Sequence, residues 1–471
     1  MTLRPRRLAA LAVAAALALG TAACGSSDSD SDSGTGTSAA SGGGDPVTMW
    51  TFKQSHVAGL EAAAAAFERE TGTPVEIEVT TPQEAYVTKL QAAARTRSLP
   101  DLLSVGSADE SFRYAASGIL ADVTDDFDQT MQDEMLPGIA TASQLTELAI
   151  ENSKGDPQNS LARLTAGHWY GIPYVAGASG IVLARKSALE EAGVDAARAS
   201  ASWEGFVEAV GATHARSERS GGIVTGMQIP ETAYQWLYRP LAFNYLGKEA
   251  FDGRQSRAQT PAWNSPESVE TFTLYDQMSP FWAPGVLSLG IDQADQAFAQ
   301  GKAAWDIGGT YTLPFLLQQG MRAEELEMFP VPASSRGEHT RAELAATPIL
   351  STGVTTQAKN PEGAIAFAQY LGTGEGARVF AETASEVPAS AAAADALASN
   401  PLLGPVLDAL RAGSDQAFNG DLFAADPVGN PPVKHDVAVE LAKLVAGTST
   451  PQKVADALVG VYQRAWEKAG G

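Results

Sequence analysis

The sequence predicts an α/β protein, and three observations carry that reading. Between residues 47 and 105, short alternating apolar runs regularly give way to stretches with helical spacing. About 425 residues follow a polar N-terminal segment, enough for two domains with proper cores. The chain shows no repeat of fixed period and no apolar stretch long enough to span a membrane. Strand-helix alternation of this kind implies a mostly parallel sheet flanked by helices.

The first 45 residues stand apart. Residues 1–7 carry Arg4, Arg6 and Arg7 and no acid, residues 8–19 are only Leu, Ala and Val, and residues 20–23 are small. This is the order of a secretory leader. Its apolar run falls short of the roughly 20 residues that a spanning helix needs. Arg6-Arg7 is compatible with ordinary or twin-arginine export. Cys24 follows, the only cysteine in 471 residues. A lone thiol can be a nucleophile, a metal ligand, half of an intermolecular disulfide, an incidental free thiol or an attachment point. No second cysteine offers a disulfide, and an exposed free thiol is open to oxidation. Small residues directly before a cysteine resemble the lipobox of bacterial lipoproteins, with Thr21 where that motif usually has Leu. The resemblance implies cleavage after residue 23 and a diacylated Cys24 on the outer face of the cell membrane. Residues 25–45, GSSDSDSDSGTGTSAASGGGD, have no large apolar residue and read as a flexible tether. Its r.m.s. reach is about 25 Å.

Removing the three leader arginines from 32 Lys+Arg leaves 29 against 55 Asp+Glu, a formal charge of −26. Such a balance argues against nucleic acid and against an anionic membrane surface as partners.

Residues 47–52 (VTMWTF) alternate and read as an opening strand. Residues 59–71 follow as a helix with Leu60, Ala63, Ala64 and Phe67 on one face, ended by Gly72. A second alternating strand at 75–79, a helix at 82–96 and an apolar strand at 100–105 come next. Ligands of such sheets collect beyond the carboxyl ends of the strands, which singles out the loops 53–56 and 106–110. From residue 167 a strand, a Gly/Ala/Ser-rich crossing, a strand at 180–184 and a helix at 186–192 are expected; small residues there let the chain pass between packed domains. Residues 297–316 read as helix end, strand, glycine loop and helix start. Residues 328–334 form an extended Pro-punctuated link. Residues 360–382 read as two helices with Pro361 in a first turn, and 385–390 as another crossing.

The segments AFERETGTPVEIEV, LPDLLSVGSADESFRYAASGILADVTD, WYGIPYVAGASGIVLARKSALEEAGV, SWEGFVEAV, AFAQGKAAWDIGGTY and GVTTQAKNPEGAIAFAQYL, in this order, resemble extracellular solute-binding proteins of ABC importers, specifically the maltose/sugar-binding group (family 1). The resemblance implies a two-lobed periplasmic-binding-protein-like fold of type II. Each lobe is a central sheet flanked by helices, and three crossings near 173–179, 330–333 and 386–388 form the hinge. It places 46–173 with 331–386 in one lobe and 174–330 with 387–471 in the other. It further implies a monomer that needs no cofactor or metal, binds a carbohydrate in its cleft and docks on an ABC permease. Ala184-Arg185 replaces a Tyr-Asn common in the family, and the acid that maltose-type binders carry near Gly177 is missing. Maltose itself is therefore not supported.

Sugar recognition needs flat apolar faces for C–H surfaces, with donors and acceptors for hydroxyls. Trp50, Phe52, Lys53, Gln54 and Ser55 border the end of the first strand, and Asp109 and Glu110 lie after the third. On the resemblance, Asp109 matches a ligand-contacting acid, Tyr174 enters the hinge, and Trp236 and Tyr238 fall in a cleft-lining segment. Gly308, Gly309 and Tyr311 form the loop where relatives place a stacking aromatic, and Glu386 reaches the cleft from the third crossing. Each has a structural alternative. Trp50 and Trp305 suit a core, Asp109 a helix cap, and Lys53 and Lys302 a solvated surface. Trp236 and Tyr311 are the leading platforms.

The sequence lacks G-x-S-x-G, H-E-x-x-H and G-x-x-x-x-G-K-[ST]. His56, His168, His214, His339 and His435 are scattered without metal spacing and read as surface or satisfied histidines. No segment singles out a carboxylate pair for glycoside hydrolysis. A secreted carbohydrate-active enzyme and a sensing or adhesion lipoprotein without transport are the alternatives to an importer's receptor.

Overall fold

A computed structural model describes residues 45–106, 108–153, 161–256, 260–412 and 433–469. The expected leader, nearly all of the expected tether and Cys24 lie outside the described residues.

The chain builds two sheets. The first has the order β2-β1-β3-β9-β4 and the second β6-β7-β5-β8. In the first, β1 (Val47–Thr51) turns Val47, Met49 and Thr51 inward and pairs in parallel with β2 (Val75–Val79) and β3 (Leu102–Val105). Between β1 and β2, helix Val57–Thr71 buries Leu60, Ala63, Ala64 and Phe67, the face the apolar spacing predicts. Gly72 ends it at φ 75°, a conformation glycine adopts freely. Gly59 allows this helix to approach its neighbour Gly374–Ala384, because a Cβ there would stand 2.9 Å from the Phe380 ring. β2 is an edge strand with Glu76 and Glu78 outward, which discourages pairing with another chain. β3 is buried throughout.

β4 (Ile172–Gly177) ends in the first sheet and β5 (Ser179–Arg185) begins the second, with only Ala178 between them. The second sheet adds β6 (Ile223–Val224), β7 (Trp305–Gly309) and β8 (Leu326–Pro330). The chain then returns, and β9 (Thr347–Val354) inserts between β3 and β4, antiparallel to both. Residues 386–390 run beside β4: Ala176 N–H donates to Val387 O at 3.0 Å and Ala389 N–H to Tyr174 O at 3.1 Å.

The expected mostly parallel sheet needs correction. β1, β2 and β3 are parallel, and β6 with β7, but the ladders of β9 and of β5 are antiparallel. Local periodicity reports strands joined by crossover helices; it says nothing of a strand that comes back from the other sheet.

Trp305 anchors the second core as expected, with its indole N–H donating to Thr213 Oγ1 at 2.8 Å and its ring edge-on to Phe206.

Candidate functional site

Beyond β1 the chain leaves the sheet through Phe52 and Lys53 and makes a short turn, Gln54–His56, into the first helix. The Phe52 ring is largely buried, tilted against Tyr86 at 5.4 Å. Lys53 extends past it, its ammonium 5.9 Å from the Phe52 ring centre and 5.9 Å from that of Tyr311.

Tyr311 belongs to the second sheet's side. β7 runs into Gly309, and the Tyr311 ring folds back over that glycine: a Cβ at 309 would stand 2.3 Å from Tyr311 Cε1. Only glycine leaves room for this ring. Trp236 lies beside it, ring centres 5.6 Å apart at 58°. The Trp236 segment, Tyr234–Tyr238, is wound as a π-turn in which Arg239 N–H donates to Tyr234 O. Pro240 gives the reason. It has no N–H for the Trp236 carbonyl four residues back, so the α-helical ladder breaks and the turn widens. Phe52, Lys53, Trp236, Gly309 and Tyr311 thus meet in one place, contributed by both sheet regions.

The other predicted residues lie outside this cluster. Gln54 is exposed on the turn after Lys53. Trp50 packs under the Lys89 ammonium, 3.7 Å from its ring centre, and Lys89 is held in turn by Glu78 at 2.5 Å. Asp109 is exposed and paired with Arg113 one turn on, at 2.6 Å. Glu110 fastens its own loop: Oε2 accepts from Gly106 N–H and Oε1 from the Tyr114 hydroxyl, both at 2.8 Å. Burial first, then the Glu110 charge, pushes the Tyr114 phenol upward.

Tyr174, expected at the hinge, and Tyr238 and Glu386, expected at the cleft, are all fully buried. The Tyr174 hydroxyl lies 3.1 Å from that of Ser104, its ring edge-on to Phe380. Burial raises its pKa. Tyr238 stacks on Phe272 and its hydroxyl accepts from Arg254. Glu386 meets His56 Nε2 at 3.2 Å and accepts the Val387 N–H, tying the 386–390 segment to the loop that carries Lys53. Alternation and chain order place a residue near a crossing, but only the packed neighbours decide which way it turns.

Of the other histidines, His168 pairs with Asp122, His435 with Glu231 and His339 with Glu343, as satisfied groups. Among the described residues no cluster of three or more His, Cys, Asp or Glu is arranged to hold a metal ion.

Asp295 and Asp306 escape a reading of the sequence. Asp306 lies in β7, Asp295 on helix Ile291–Ala299 packed over it, and both are buried. The one signal for them is an acid inside an otherwise apolar strand, AAWDIGG.

The profile described as "bacterial extracellular solute-binding protein" matches residues 62–405. No curated protein matches the sequence. Among solved structures, the GacH receptor of Streptomyces glaucescens, studied unliganded and with acarbose, is similar at 19% identity and TM-score 0.66, covering 90% of this chain and 98% of that one. A chitin oligosaccharide binding protein is similar at 19% identity and TM-score 0.63, over 89% and 98%. The Thermus thermophilus maltotriose binding protein, bound with maltotriose, is similar at 18% identity and TM-score 0.58, over 89% and 100%. At these identities the likeness shows the fold, that of two-lobed type II binding proteins. Among the described residues no helix is long and apolar enough to cross a membrane. With the profile covering most of the chain, the protein belongs to the bacterial extracellular solute-binding proteins.

Proposed function

We propose that this chain is the receptor of an ABC importer, capturing a carbohydrate outside the cell and passing it to a membrane permease. One observation carries the reading: aromatic rings from both sheet regions, Phe52 on one side and Trp236 with Tyr311 on the other, converge around Lys53. Flat rings suit the C–H faces of a pyranose, and an ammonium donates to its hydroxyls. The similar structures include receptors studied with acarbose and with maltotriose.

In this reading one lobe comprises 46–173 with 331–386 and the other 174–330 with 387–471, except that β4 keeps residues 174–177 with the first sheet. Phe52, Lys53, Trp236, Gly309 and Tyr311 form the centre of the ligand site. Trp50, Gln54, Asp109 and Glu110 border it, while Tyr174 and Glu386 support the hinge. Ligand bridges the lobes and favours closure to the extent that it binds the closed form better. An acylated Cys24 holds the receptor at the membrane on its acidic tether, as a monomer.

The test is thermal shift and tryptophan fluorescence with acarbose, maltotriose, chitin oligosaccharides and simple hexoses, beside peptides, a polyamine and divalent metals. A sugar at 100 times its Kd raises stability by about 2.7 kcal/mol. If no sugar shifts either signal while a peptide, polyamine or metal does, the substrate class is wrong.

A further inference from the structure

The aspartates at 295 and 306 lie outside the proposed ligand set. Asp306 is 0% and Asp295 4% exposed. Their carboxyl groups are within hydrogen-bond reach of one another. Neither Asp306 oxygen, nor Asp295 Oδ1, receives a hydrogen bond from any N–H or O–H of the described residues. The N–H of Ile307 stands close enough to lower the Asp306 pKa without reaching hydrogen-bond geometry. Two carboxyl groups so placed can share one proton, and removing it puts buried negative charge where no donor meets it.

Few charges face this pair. Asp292 adds negative charge from the same helix, and the Lys53 ammonium acts against it. The strand neighbours of Asp306, Val224 and Leu183, are apolar. Helix Thr312–Gln318, packed against Ile291–Ala299, has the sequence TLPFLLQ and no titratable group. His56, on the turn that meets this helix, is engaged with Glu386. Burial foremost, then the neighbouring acids, raises Asp295 well above the usual carboxylate range, and burial raises Asp306.

Lys53 does not belong to the same half of the molecule. It sits on the loop after β1 of the first sheet, while both aspartates belong to the second, and the turn Gln54–His56 rests against helix Thr312–Gln318. We propose that Lys53 and the Asp295–Asp306 pair form a proton-linked latch between the lobes, so that closing the cleft releases a proton. When the lobes part, Lys53 withdraws and the pair keeps its proton. When they close, the ammonium approaches and favours the ionised pair. The same linkage makes the closed form more populated as pH rises. This rests on the two-lobed closing motion and not on the identity of the ligand.

The test uses the ligand-free protein, so a failed sugar screen leaves it readable. Small-angle scattering at pH 5 and pH 8.5 compares the radius of gyration of wild type, Asp306→Asn, Lys53→Met and Lys53→Arg. The expected result is contraction of wild type and Lys53→Arg at pH 8.5, with that contraction lost in Asp306→Asn and in Lys53→Met. Circular dichroism of each variant at both pH values establishes folding. A wild type of unchanged radius, or a Lys53→Met that still contracts, overturns the latch.

Discussion

Asp101, just before β3, and Asp306, inside β7, are both buried beside a central strand, one in each sheet region. Around Asp101 every lone pair direction is used. Its Oδ2 accepts from the Thr48 N–H and hydroxyl at 2.8 and 2.6 Å, and its Oδ1 from the Lys359 and Asn360 N–H groups at 2.6 and 2.9 Å. Burial alone would raise its pKa, but these bonds more than offset that and hold it below the usual carboxylate range. Asp306 faces another acid and no aligned donor. The contrast extends beyond two residues. Asp295, Thr310, Arg254, Trp263 and Trp282, all around the second sheet, keep buried polar atoms without hydrogen-bond partners; around the first, among the described residues, only His56 Nδ1 does. A satisfied acid staples β1, β3 and the turn at 359–360 into one unit, whereas an unsatisfied pair stores a cost that a change of pH or of lobe position can release.

Deleting the staple is the most severe test of this difference. Asp101→Ala leaves four donors unmet and should cost about 3 kcal/mol or more, read as a lower urea midpoint at pH 7. A loss below about 1 kcal/mol would mean that water replaces the carboxylate and that Asp101 is no staple.

Next comes the opposite aspartate, where removal should help. A buried acid with raised pKa contributes stability that is fully present below its unfolded pKa and lost as pH rises through the folded one. Each tenfold gain in proton affinity on folding is worth about 1.4 kcal/mol at high pH. Asp306→Asn should therefore melt above wild type at pH 8.5, with the difference vanishing near pH 4. Asp101 works with the other sign: its lowered pKa stabilises above the ordinary carboxylate value, and that stability is lost as pH falls. Parallel melting curves of Asp306→Asn and wild type from pH 4 to 8.5 would refute the raised pKa.

Two tyrosines separate platform from core. Tyr311→Ala should weaken carbohydrate binding about tenfold or more, measured by calorimetry with the best sugar of the screen. Equal affinity in wild type and variant would remove Tyr311 from the ligand site. The smallest effect is expected from Tyr174→Phe, which loses the hydrogen bond to Ser104 for about 1 kcal/mol of stability while ligand affinity holds. A drop in affinity there, at unchanged stability, would move Tyr174 into the cleft.

Much of the fold is legible in the amino-acid order. Alternation marks β1 and β2, four apolar positions name the buried face of Val57–Thr71, and small residues mark the passage from β4 to β5. The candidate site is half legible. The expectation for Trp236 and Tyr311 comes from matched segments, and these two rings do meet; the placement of Tyr238 and Glu386 comes the same way and both turn inward. Adjacent positions in a turn differ only in the direction the backbone gives them. A π-turn forced by Pro240 sets that direction for Trp236, and contact with His56 sets it for Glu386.

Local periods follow from the sequence alone: which stretches are strands or helices, where glycine or proline must interrupt them, and an acidic chain whose one cysteine follows a cationic and then apolar N-terminal run. Those are properties of near neighbours, governed by backbone sterics and side-chain spacing. It takes packing to return β9 antiparallel into the first sheet, to bring four donors to Asp101 and to set Asp306 against Asp295. Residues apart in the chain share a dielectric and act on one another's charge only once the fold has brought them together, and no period along the sequence records that encounter.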